Sequence, residues 1–454
     1  MKDYSLKQVK VGQPIDDLKQ LGVYESQEHS YDSIGSFKPQ KRDTQAIMST
    51  IRSMLLPELL PMRNERMKAD EFSFYRGSVE LMDHDFAHNP NSNISVVTCG
   101  DAHIGNFGFY ASPERQLLFD LNDFDESKVN YWEYDLKRLL VSVLLAGKNN
   151  DFKPKKLNKF IKHLSKKYRQ GLEYDFRKDA LSRYYPKNSI ERLAPYFKDK
   201  DDRVTISKIF KKAHKQNSEK VVHKYTETTF DGHLRFKDDA PRTVHIDSED
   251  ADNLKHCFLD YRNSVSPDIA LLLSEYHITD LVRHSVGVGS FGTLCYLVLL
   301  TNLDGSHLVL QVKEALPTRI NSGDRAEHLT TDLEQNEGKR IVDCQRILQS
   351  ASDPFLGYFK TEDNSFYVRQ FRDMKESVDL SRLSWEEFKA YTTACVLILA
   401  NAHSQSPNGA TVLGYVQDGK NFDEAMANWA TSYLKQVDFD YADYLKYLED
   451  KDNL

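Results

Sequence analysis

The feature that most constrains the fold of this chain is a series of short predicted strands that is rich in acidic residues and is followed by an apolar helix. The segments SVVTCGD, NFGFYA and QLLFDLNDFD, within residues 95–125, combine strand formers with turn residues and predict short strands. Residues 131–146 (YWEYDLKRLLVSVLLA) are apolar at helical spacing and predict a buried helix. Seven consecutive residues hold four acids: Asp120, Asp123, Asp125 and Glu126. These carboxylates repel one another unless a cation lies among them, so the segment predicts a metal site.

A second strand-rich stretch follows much later in the chain. Strands are predicted within residues 284–301 and 307–315, joined by a turn at Asp304-Gly305, and a helix over residues 332–349 comes next. Another strand pair, PFLGYF and SFYVRQF, turns at Asp363-Asn364. Because the chain is otherwise helical in pattern, these two strand-rich stretches predict an α+β fold.

The flanking segments are mainly helical. Residues 1–70 read as polar loops followed by a helix, and the apolar positions at near-helical spacing are Ile47, Ile51, Met54, Leu55 and Leu59. Residues 148–275 are polar and helical with an interruption around residues 226–241, and the chain is helical again from Trp385 onward.

The composition indicates a soluble protein of a reducing compartment. Hydrophobic residues make up 40% and charged residues 28% of the chain, and no run of about 18 apolar residues occurs. The first ten residues, MKDYSLKQVK, lack the apolar stretch of a secretory signal. Five cysteines are scattered without ligand-like spacing, which suits a reducing environment. We therefore expect a cytoplasmic protein that does not contact membranes.

The overall charge gives no reason to expect a nucleic-acid partner, since the net charge is −7. Residues 148–224 are nevertheless rich in lysine, as in KPKKLNKFIKHLSKKYRQ and KIFKKAHKQNSEKVVHK. Two interpretations stay open for this segment. Its lysines form the solvated faces of amphipathic helices, or they form a basic rim that attracts an anionic substrate.

The densest chemistry lies in GDAHIGN, residues 100–106, which carries Asp101 and Asn106 on one expected tight loop, and in Asp123 beyond the next strands. Phosphoryl transfer from ATP needs an acid that accepts or orients the acceptor proton. It also needs a carboxylate for Mg²⁺ and a neutral oxygen ligand such as an asparagine amide. The alternative is structural: Asp101 and Asn106 cap a turn, and NDFDE is a loop rich in Asn and Asp.

A glycine-rich segment, VGVGSFGT at residues 286–293, contains the pattern GxGxxG. The residues after it, TLCYLVLLT, are strand formers, which argues against a dinucleotide-binding turn that opens a helix. A glycine loop between antiparallel strands lets backbone N–H groups approach phosphate oxygens without a Cβ in the way. We expect nucleotide binding by Gly287, Gly289, Ser290, Phe291 and Gly292. The alternative is a tight hairpin that needs glycine for its turn geometry.

Lys313 ends the next strand, LVLQVKEA, after alternating apolar residues. A lysine at the end of a buried strand is costly to leave unpaired, so we expect a phosphate or a carboxylate to meet it. The acids available on the following helix are Glu337, Asp343 and Glu334. The sequence leaves the choice among them open.

GDAHIGN resembles the catalytic loop GDxHxxN of aminoglycoside phosphotransferases and choline kinases, a variant of the protein-kinase loop, and NDFDES resembles their metal-binding segment. The resemblance implies that Asp101 is the catalytic base and that Asn106 and Asp123 bind Mg²⁺. Asp120 and Asp125 stay open as metal ligands, because the gap between Asn106 and Asp123 is longer than in those families.

The same resemblance implies roles for further residues. His103 matches a position of the catalytic motif, where we expect it to support the loop, and Asp135 matches an acid that braces this loop from the start of a buried helix. Lys313 resembles the kinase strand lysine that holds the ATP phosphates and pairs with a helix glutamate. SFYVRQF resembles the strand that leads to the adenine-binding hinge, which places Gln370 and Phe371 at the adenine edge.

The order of the motifs is reversed relative to kinases, because Gly287 follows Asp101 by 186 residues. TTACVLILANAHSQS, near the end of the chain, resembles the helix that normally runs into the catalytic loop, yet no such loop follows it here. We therefore predict a two-lobed, protein-kinase-like fold that is circularly permuted. Such rejoining is tolerable because domain termini tend to lie close together at the surface.

The succession FYRG, GDxHxxNFG, NDFDE, WDLKRL and VGVGSxGT resembles a bacterial family known as domain of unknown function 2252. The matching segments here are residues 74–77, 100–108, 122–126, 134–139 and 286–293. The likeness covers roughly residues 60–405 and implies no substrate. Arg76, within FYRG, is open to two roles, a phosphate contact or a structural ion pair.

The likeness to kinases divides the chain into four segments. Residues 1–70 form an amino-terminal helical extension, and residues 71–275 form the large-lobe part with the catalytic and metal loops. Residues 276–376 form the small-lobe sheet with the glycine-rich loop and a helix, and residues 377–454 are helices that complete the large lobe.

The leading hypothesis is a Mg-ATP-dependent phosphotransferase that acts on a small hydroxyl- or amine-bearing molecule. Only five residues separate Asp125 from Tyr131, which leaves little chain for a segment on which a peptide could dock. Two alternatives stay open: transfer of AMP to a protein from the same pocket, and a non-catalytic, pseudokinase-like regulator that binds a nucleotide. The presence of the lysine, both aspartates and the asparagine argues against the regulator.

Overall fold

The computed structural model describes residues 13–185, 222, 224–230, 232–246, 248–285, 291–321, 336–371 and 378–452. The α-helices in these ranges are α1 (Ile15–Glu28), α2 (Tyr31–Ile34), α3 (Thr44–Arg52), α4 (Leu60–Lys68), α5 (Glu71–Gly77), α6 (Val79–Ala87), α7 (Trp132–Asn149), α8 (Pro154–Phe176), α9 (Ala180–Tyr184), α10 (Ser248–Tyr261), α11 (Pro267–Leu273), α12 (Glu337–Leu348), α13 (Trp385–Ser404), α14 (Gly409–Tyr415) and α15 (Gly419–Asp452). The strands are β1 (Ser95–Thr98), β2 (Phe107–Ala111), β3 (Leu117–Leu121), β4 (Lys128–Tyr131), β5 (Thr226–Thr228), β6 (Leu234–Phe236), β7 (Thr243–His245), β8 (Tyr276–His284), β9 (Cys295–Asn302), β10 (His307–Glu314), β11 (Gly357–Lys360) and β12 (Ser365–Gln370). The fold is α+β, as the sequence predicts.

The largest sheet has six strands in the order β11-β12-β10-β9-β8-β7, and all neighbours are antiparallel. The β9–β10 hairpin turns at Asp304-Gly305, where Gly305 has a φ of +85° that glycine adopts without strain. The β11–β12 hairpin turns between Lys360 and Ser365. Both hairpins lie where the sequence predicts them. The sheet also includes β7, so it extends across the predicted boundary between residues 275 and 276.

Strands β8 and β9 are antiparallel neighbours, and the glycine-rich stretch connects them. The end of this connection packs on the amino-terminal part of the chain. The Phe291 ring is buried, with the Arg66 guanidinium 3.9 Å from its centroid. The backbone N–H of Leu56 donates to the carbonyl oxygen of Gly292 at 2.8 Å. The amino-terminal extension therefore anchors one end of the glycine-rich stretch.

The acid-rich stretch folds into two small antiparallel sheets, β1 with β4 and β2 with β3. Helix α7 follows it and is buried along most of its length, as its apolar sequence predicts. It packs against α8, α13 and α15 within the main hydrophobic core. Even so, none of the helices in the described ranges has both the length and the apolar content that a membrane crossing needs.

The single helix predicted through residues 47–59 is divided in the structure. Helix α3 ends at Arg52, and a 3-10 turn over Pro57–Leu59 precedes α4. The residue before the proline, Leu56, is extended, with φ −61° and ψ 119°. Proline disfavours a helical conformation in the preceding residue and has no N–H for the helix, which explains the break.

Helix α1 was not predicted from its polar sequence, and it docks on α14 through two glycines. A Cβ at Gly22 would lie 1.9 Å from the carbonyl oxygen of Thr411. A Cβ at Gly414 would lie 2.0 Å from the carbonyl oxygen of Lys19. The backbones of the two helices therefore touch at these glycines, which have no side chain to separate them. The buried Leu18 of α1 adds to the contact.

The residues after α13 lie beside the strand that precedes the GDAHIGN loop. The backbone N–H of Val97 donates to Ser406 Oγ at 2.9 Å, although the two residues are 309 positions apart. Asn408 Nδ2 donates to the carbonyl oxygen of Ser95 at 3.0 Å. The carboxyl-terminal helices and β1 are therefore joined side by side.

Gly22→Ala is expected to lower the free energy of unfolding by about 1–3 kcal/mol, because the added methyl group overlaps the Thr411 carbonyl. Helix propensity acts in the opposite direction and favours alanine by about 1 kcal/mol. Urea denaturation measures the change. Gln20→Ala, on the exposed face of the same helix, is the matched control and should change stability by less than about 0.5 kcal/mol. A more stable Gly22→Ala protein would contradict the docking of α1.

Candidate functional site

One face of α7 holds the GDAHIGN loop from behind. The Asp135 carboxylate accepts hydrogen bonds from the backbone N–H groups of Cys99 at 2.9 Å and Gly100 at 3.0 Å. One turn later, Arg138 Nε donates to Asp101 Oδ1 at 2.7 Å. Because Asp135 and Arg138 are three residues apart, they share a helix face. The helix thus fixes both the entry to the loop and its first acid.

Asp101 is nearly buried, with 11% of its side chain exposed, and its Oδ2 lies 3.8 Å from His103 Nε2. His103 Nδ1 accepts a hydrogen bond from the backbone N–H of Gly105 at 3.1 Å. The proton of the neutral ring is therefore on Nε2, on the side of Asp101. Burial, together with the charges of Arg76 and Arg138, holds the pKa of His103 well below its usual value. His103 thus supports the acid as a neutral group.

Asn106 ends the loop in a 3-10 turn over Ile104–Asn106. Its Nδ2 donates to the carbonyl oxygen of Asp101 at 2.7 Å, which leaves the amide oxygen for an outside ligand. The backbone N–H of Ile104 donates to Ser142 Oγ of α7 at 3.0 Å. The loop is therefore tied at both ends, and the amide is oriented.

Two of the four clustered acids pair with cationic side chains. Asp125 forms an ion pair with Lys313 of β10, and the hydroxyl of Tyr367 donates to Asp125 Oδ1 at 3.0 Å. Glu126 accepts from Arg319 Nε at 2.6 Å. Lysine and arginine therefore neutralise two of the four acids, and the predicted metal is not needed at Asp125 or Glu126.

The other two acids differ in their surroundings. Asp120 Oδ2 accepts from the backbone N–H and the hydroxyl of Ser350 at 3.1 and 2.9 Å. Asp123 lines the cleft described below, together with Asn106. Among the acids proposed as metal ligands, Asp123 is the one that lines the cleft, and its Oδ1 accepts a hydrogen bond from the backbone N–H of Asp125 at 3.4 Å.

The ion pair of Lys313 and Asp125 is shielded from water, with 4% and 22% of the two side chains exposed. Burial would raise the pKa of Asp125, but the charge of Lys313 and the hydrogen bonds from Lys313 and Tyr367 lower it below its usual value. Burial would lower the pKa of Lys313, but Asp125 and Tyr367 raise it. Both groups are therefore charged across the physiological range.

The acids expected to pair with the strand lysine lie elsewhere, and this expectation is wrong. Glu337 pairs with Arg340, and Asp343 pairs with Lys339, all on α12. Glu334 lies outside the described residues. Helix α12 instead contributes a cation to the acidic loop. Arg340 Nη2 donates a hydrogen bond of 2.8 Å to the backbone carbonyl oxygen of Asp125.

Strands β10 and β12 present a row of polar side chains on one face of the sheet. Their register places Gln311 opposite Arg369 and Lys313 opposite Tyr367. Arg369 Nε donates to Gln311 Oε1 at 3.0 Å, and its Nη1 donates to the carbonyl oxygen of Asn122 at 3.3 Å. Gln311, Tyr367 and Arg369 were not predicted from the sequence. The signal for them was the two-residue spacing of polar groups within apolar strands.

Between this face and the acidic loop lies a cleft of about 790 Å³. Its volume is in the range of small-molecule binding sites. The predicted site residues that line it are Arg76, Asn106, Asp123, Lys313, Gln370 and Phe371. The two distant strand-rich stretches of the sequence therefore form the walls of one space.

Other predicted site residues lie outside this lining. A layer behind the lining contains Asp101, His103, Asp125 and Asp135. The amino-terminal extension contacts Phe291 and Gly292, and cations of α12 pair with Glu337 and Asp343. Gly287, Gly289 and Ser290 lie outside the described residues. Arg138, which was not predicted, is the side chain that positions Asp101, and its three-residue spacing from Asp135 was the available signal.

Arg76 is an unpaired cation in the wall of the cleft. In the part of the chain that the structure describes, its guanidinium makes no hydrogen bond or ion pair, its Nε is buried, and the Phe72 ring lies 5.8 Å away. Burial lowers the pKa of Arg76, although the carboxylates of Asp101 and Asp123 act in the opposite direction. Arginine still stays charged at neutral pH, so this position favours an anionic ligand.

The donors around the cleft fit a magnesium ion that is shared with a substrate. Within the described ranges, no three His, Cys, Asp or Glu side chains converge as metal ligands do. Asn106 and Asp123 offer two oxygen donors in the same wall. Mg²⁺ is commonly held by one or two protein oxygens, with substrate phosphates and water completing its shell.

The profile of the family described as "uncharacterized protein conserved in bacteria (DUF2252)" matches residues 54–447. The chain belongs to this family. Its motifs resembled the DUF2252 pattern over roughly residues 60–405, and the match extends further at both ends. Neither a curated protein nor a solved structure matches the chain. The match confirms the family that the motifs resemble, and the description of DUF2252 assigns no activity or substrate.

Lys313→Met is expected to lower the free energy of unfolding by about 3–5 kcal/mol, because Asp125 would remain buried without its cation. Urea denaturation at neutral pH measures the loss. Lys339→Met is the matched control, since it removes the partner of Asp343 at a more exposed position, and should cost less than about 1 kcal/mol. Equal costs for the two variants would contradict the buried pair.

The pH dependence of this stabilisation follows from the direction of the two pKa shifts. The lowered pKa of Asp125 gives stability that is present above its unfolded pKa of about 3.9 and is lost as pH falls through the folded value. The raised pKa of Lys313 gives stability that is present below about 10.4 and is lost above it. In Lys313→Met, burial acts on Asp125 without the opposing charge of Lys313 and raises its pKa. The stability difference between wild type and Lys313→Met, measured by urea denaturation, should therefore be large at neutral pH and shrink as pH falls and the buried carboxyl becomes protonated.

Proposed function

We propose that this protein is a Mg²⁺- and ATP-dependent phosphotransferase with a circularly permuted, protein-kinase-like fold. The observation that carries the proposal is the convergence of Arg76, Asn106, Asp123 and Lys313 on one cleft. These groups are two cations for phosphate oxygens and two oxygen donors for a metal, which phosphoryl transfer from ATP requires.

The packing of the carboxyl-terminal helices supports the permutation. Ser406 and Asn408, just after α13, bond to Val97 and Ser95 of β1, which leads into the GDAHIGN loop. In a kinase of ordinary order, the corresponding helix would run directly into this loop. Here the same neighbours meet through side-chain contacts, which is the outcome of moving the chain ends.

The cleft offers complementary surfaces to the parts of ATP. Lys313, Arg369 and Arg76 give it positive charge for the phosphates, and Gln370 and Phe371 line it where the resemblance places the adenine. Strands β8 and β9, which flank the glycine-rich sequence, belong to the same sheet as the strand that carries Lys313. Asn106 and Asp123 would hold Mg²⁺, which supplies positive charge to the phosphate oxygens.

The proposed chemical step uses Asp101 as the base. The acceptor hydroxyl oxygen forms a bond to the γ-phosphorus, the bond from this phosphorus to the β–γ bridging oxygen breaks, and ADP leaves. The hydroxyl proton passes to the Asp101 carboxylate. Arg138 keeps this carboxylate oriented through a 2.7 Å hydrogen bond, and the neutral His103 lies 3.8 Å from its other oxygen.

A second candidate function is a nucleotide-binding regulator without catalysis. The observation that favours it is the position of Asp101, which is nearly buried and bound to Arg138 behind the lining of the cleft. The phosphotransferase remains the better explanation, because Arg138 orients the Asp101 carboxylate next to the loop that carries Asn106, and a regulator needs no oriented base.

Asp123→Asn is expected to reduce ATP turnover by about 100-fold or more and to remove the Mg²⁺ dependence of nucleotide binding, because an amide is a weaker ligand for the ion. ADP release measures turnover, and titration of a non-hydrolysable ATP analogue with and without Mg²⁺ measures binding. Asp304→Asn, in the exposed β9–β10 turn, is the matched control and should behave as wild type.

Mass spectrometry of the product identifies the transferred group. A phosphoryl group adds about 80 Da and an AMP group about 329 Da, so a gain of about 80 Da is expected. Nucleotide affinity that is the same for wild type and Asp123→Asn, with no turnover by either, would contradict the phosphotransferase and favour the regulator.

A further inference from the structure

A second pocket of about 290 Å³ adjoins the cleft on the other side of the catalytic loop. Arg76 and Gly105 belong to the walls of both spaces. The rest of the wall comes from α5, the end of α7, the 3-10 turn Leu380–Arg382 and α13. An anion bound by Arg76 would therefore be accessible from both the cleft and this pocket.

The polar lining of the pocket is rich in hydrogen-bond acceptors. Asn149 Nδ2 donates to Asp70 Oδ1 at 2.8 Å. Asn150 Nδ2 donates to the carbonyl oxygens of Ala146 and Leu380, both at 2.8 Å. These bonds use both amide donors of Asn150 and one of the two donors of Asn149, and they leave both amide oxygens to accept. The lining is thus matched to a ligand that donates hydrogen bonds.

Aromatic rings form a large part of the apolar lining. Phe72, Phe107 and Tyr391 contribute rings to the wall, and the Tyr391 hydroxyl donates to the carbonyl oxygen of Ile104 at 2.8 Å. The polar end of the tyrosine is therefore engaged by the protein, which leaves its ring as packing surface. Ring faces of this kind pack well against the C–H faces of small rigid molecules.

The charge of the pocket disfavours anions away from Arg76. Asp70 and Asp379 both line it, and Asp379 is exposed, with its Oδ2 3.4 Å from Nε of the likewise exposed Arg382. Such an exposed pair is weak, so Asp379 still contributes negative charge. A second negative group on a ligand would meet these carboxylates, while a neutral hydroxyl would donate to them. The volume lies near the lower end of the range for small-molecule sites.

We propose that this pocket binds the acceptor and that the acceptor is a small polyol, of about monosaccharide size, without negative charge. The inference rests on the proposed function. One hydroxyl of the polyol lies at the shared wall beside Arg76, and Arg76 contacts the phosphoryl group that arrives from the cleft. The hydroxyl oxygen bonds to the γ-phosphorus, ADP departs with the bridging oxygen, and the proton passes to Asp101.

The test is ATP consumption by the full chain with a panel of acceptors. The neutral members are glycerol, myo-inositol and D-glucose, and the anionic members are D-gluconate and D-glucose 6-phosphate. Ser381→Trp narrows the exposed rim of the pocket, and Glu386→Trp adds the same bulk at an exposed position of α13, outside the lining. We expect consumption with at least one neutral polyol, and an acceptor KM at least about tenfold higher in Ser381→Trp than in Glu386→Trp.

The outcomes separate this inference from the proposed function. Consumption that occurs only with anionic acceptors, or an acceptor KM that is the same in both tryptophan variants, would overturn the acceptor pocket while the phosphotransferase stands. Thermal melting of both variants shows whether either has lost its fold. An absence of consumption with every acceptor, together with nucleotide binding that ignores Mg²⁺, would overturn the phosphotransferase and this inference with it.

Discussion

The ion pair between Lys313 and Asp125 joins the two halves of the cleft across 188 residues of sequence. Both charges are shielded from water, so each needs the other, and the loop cannot leave the sheet without exposing a buried charge. Arg340 adds to this link by donating to the backbone carbonyl of Asp125 from α12. The distance between the acidic loop and the polar face of the sheet is therefore set by charge pairing, and the cleft follows from it.

The charges around the site divide into two sets with different tasks. Asp135 and Arg138 hold the GDAHIGN loop against α7, so that Asp101 and Asn106 are fixed before any ligand arrives. Arg76 instead has no partner among the described residues and lies in the wall between two spaces. A preorganised carboxylate and a cation that no described residue pairs would suit the proposed transfer of an anionic group between the two pockets.

The sequence predicted the local elements well and their partners less well. The hairpin at Asp304-Gly305 and the apolar helix α7 follow from turn chemistry and helical periodicity, which are local properties. The partner of Lys313 is not local: helix acids seemed nearest in sequence, yet Asp125 is the acid that the fold brings to the strand. Helix α1 escaped prediction because its contact with α14 depends on glycine backbones rather than on an apolar stripe. The polar faces of β10 and β12 were visible as alternation, but only their register shows that Gln311 and Arg369 meet.

The most direct test is a crystal structure of the chain with a non-hydrolysable ATP analogue and Mg²⁺. The account predicts a triphosphate in the cleft between the acidic loop and the sheet, with the metal on Asn106 and Asp123 and the phosphates within reach of Lys313 and Arg76. A nucleotide bound elsewhere, with these four side chains unchanged and no metal beside them, would contradict it.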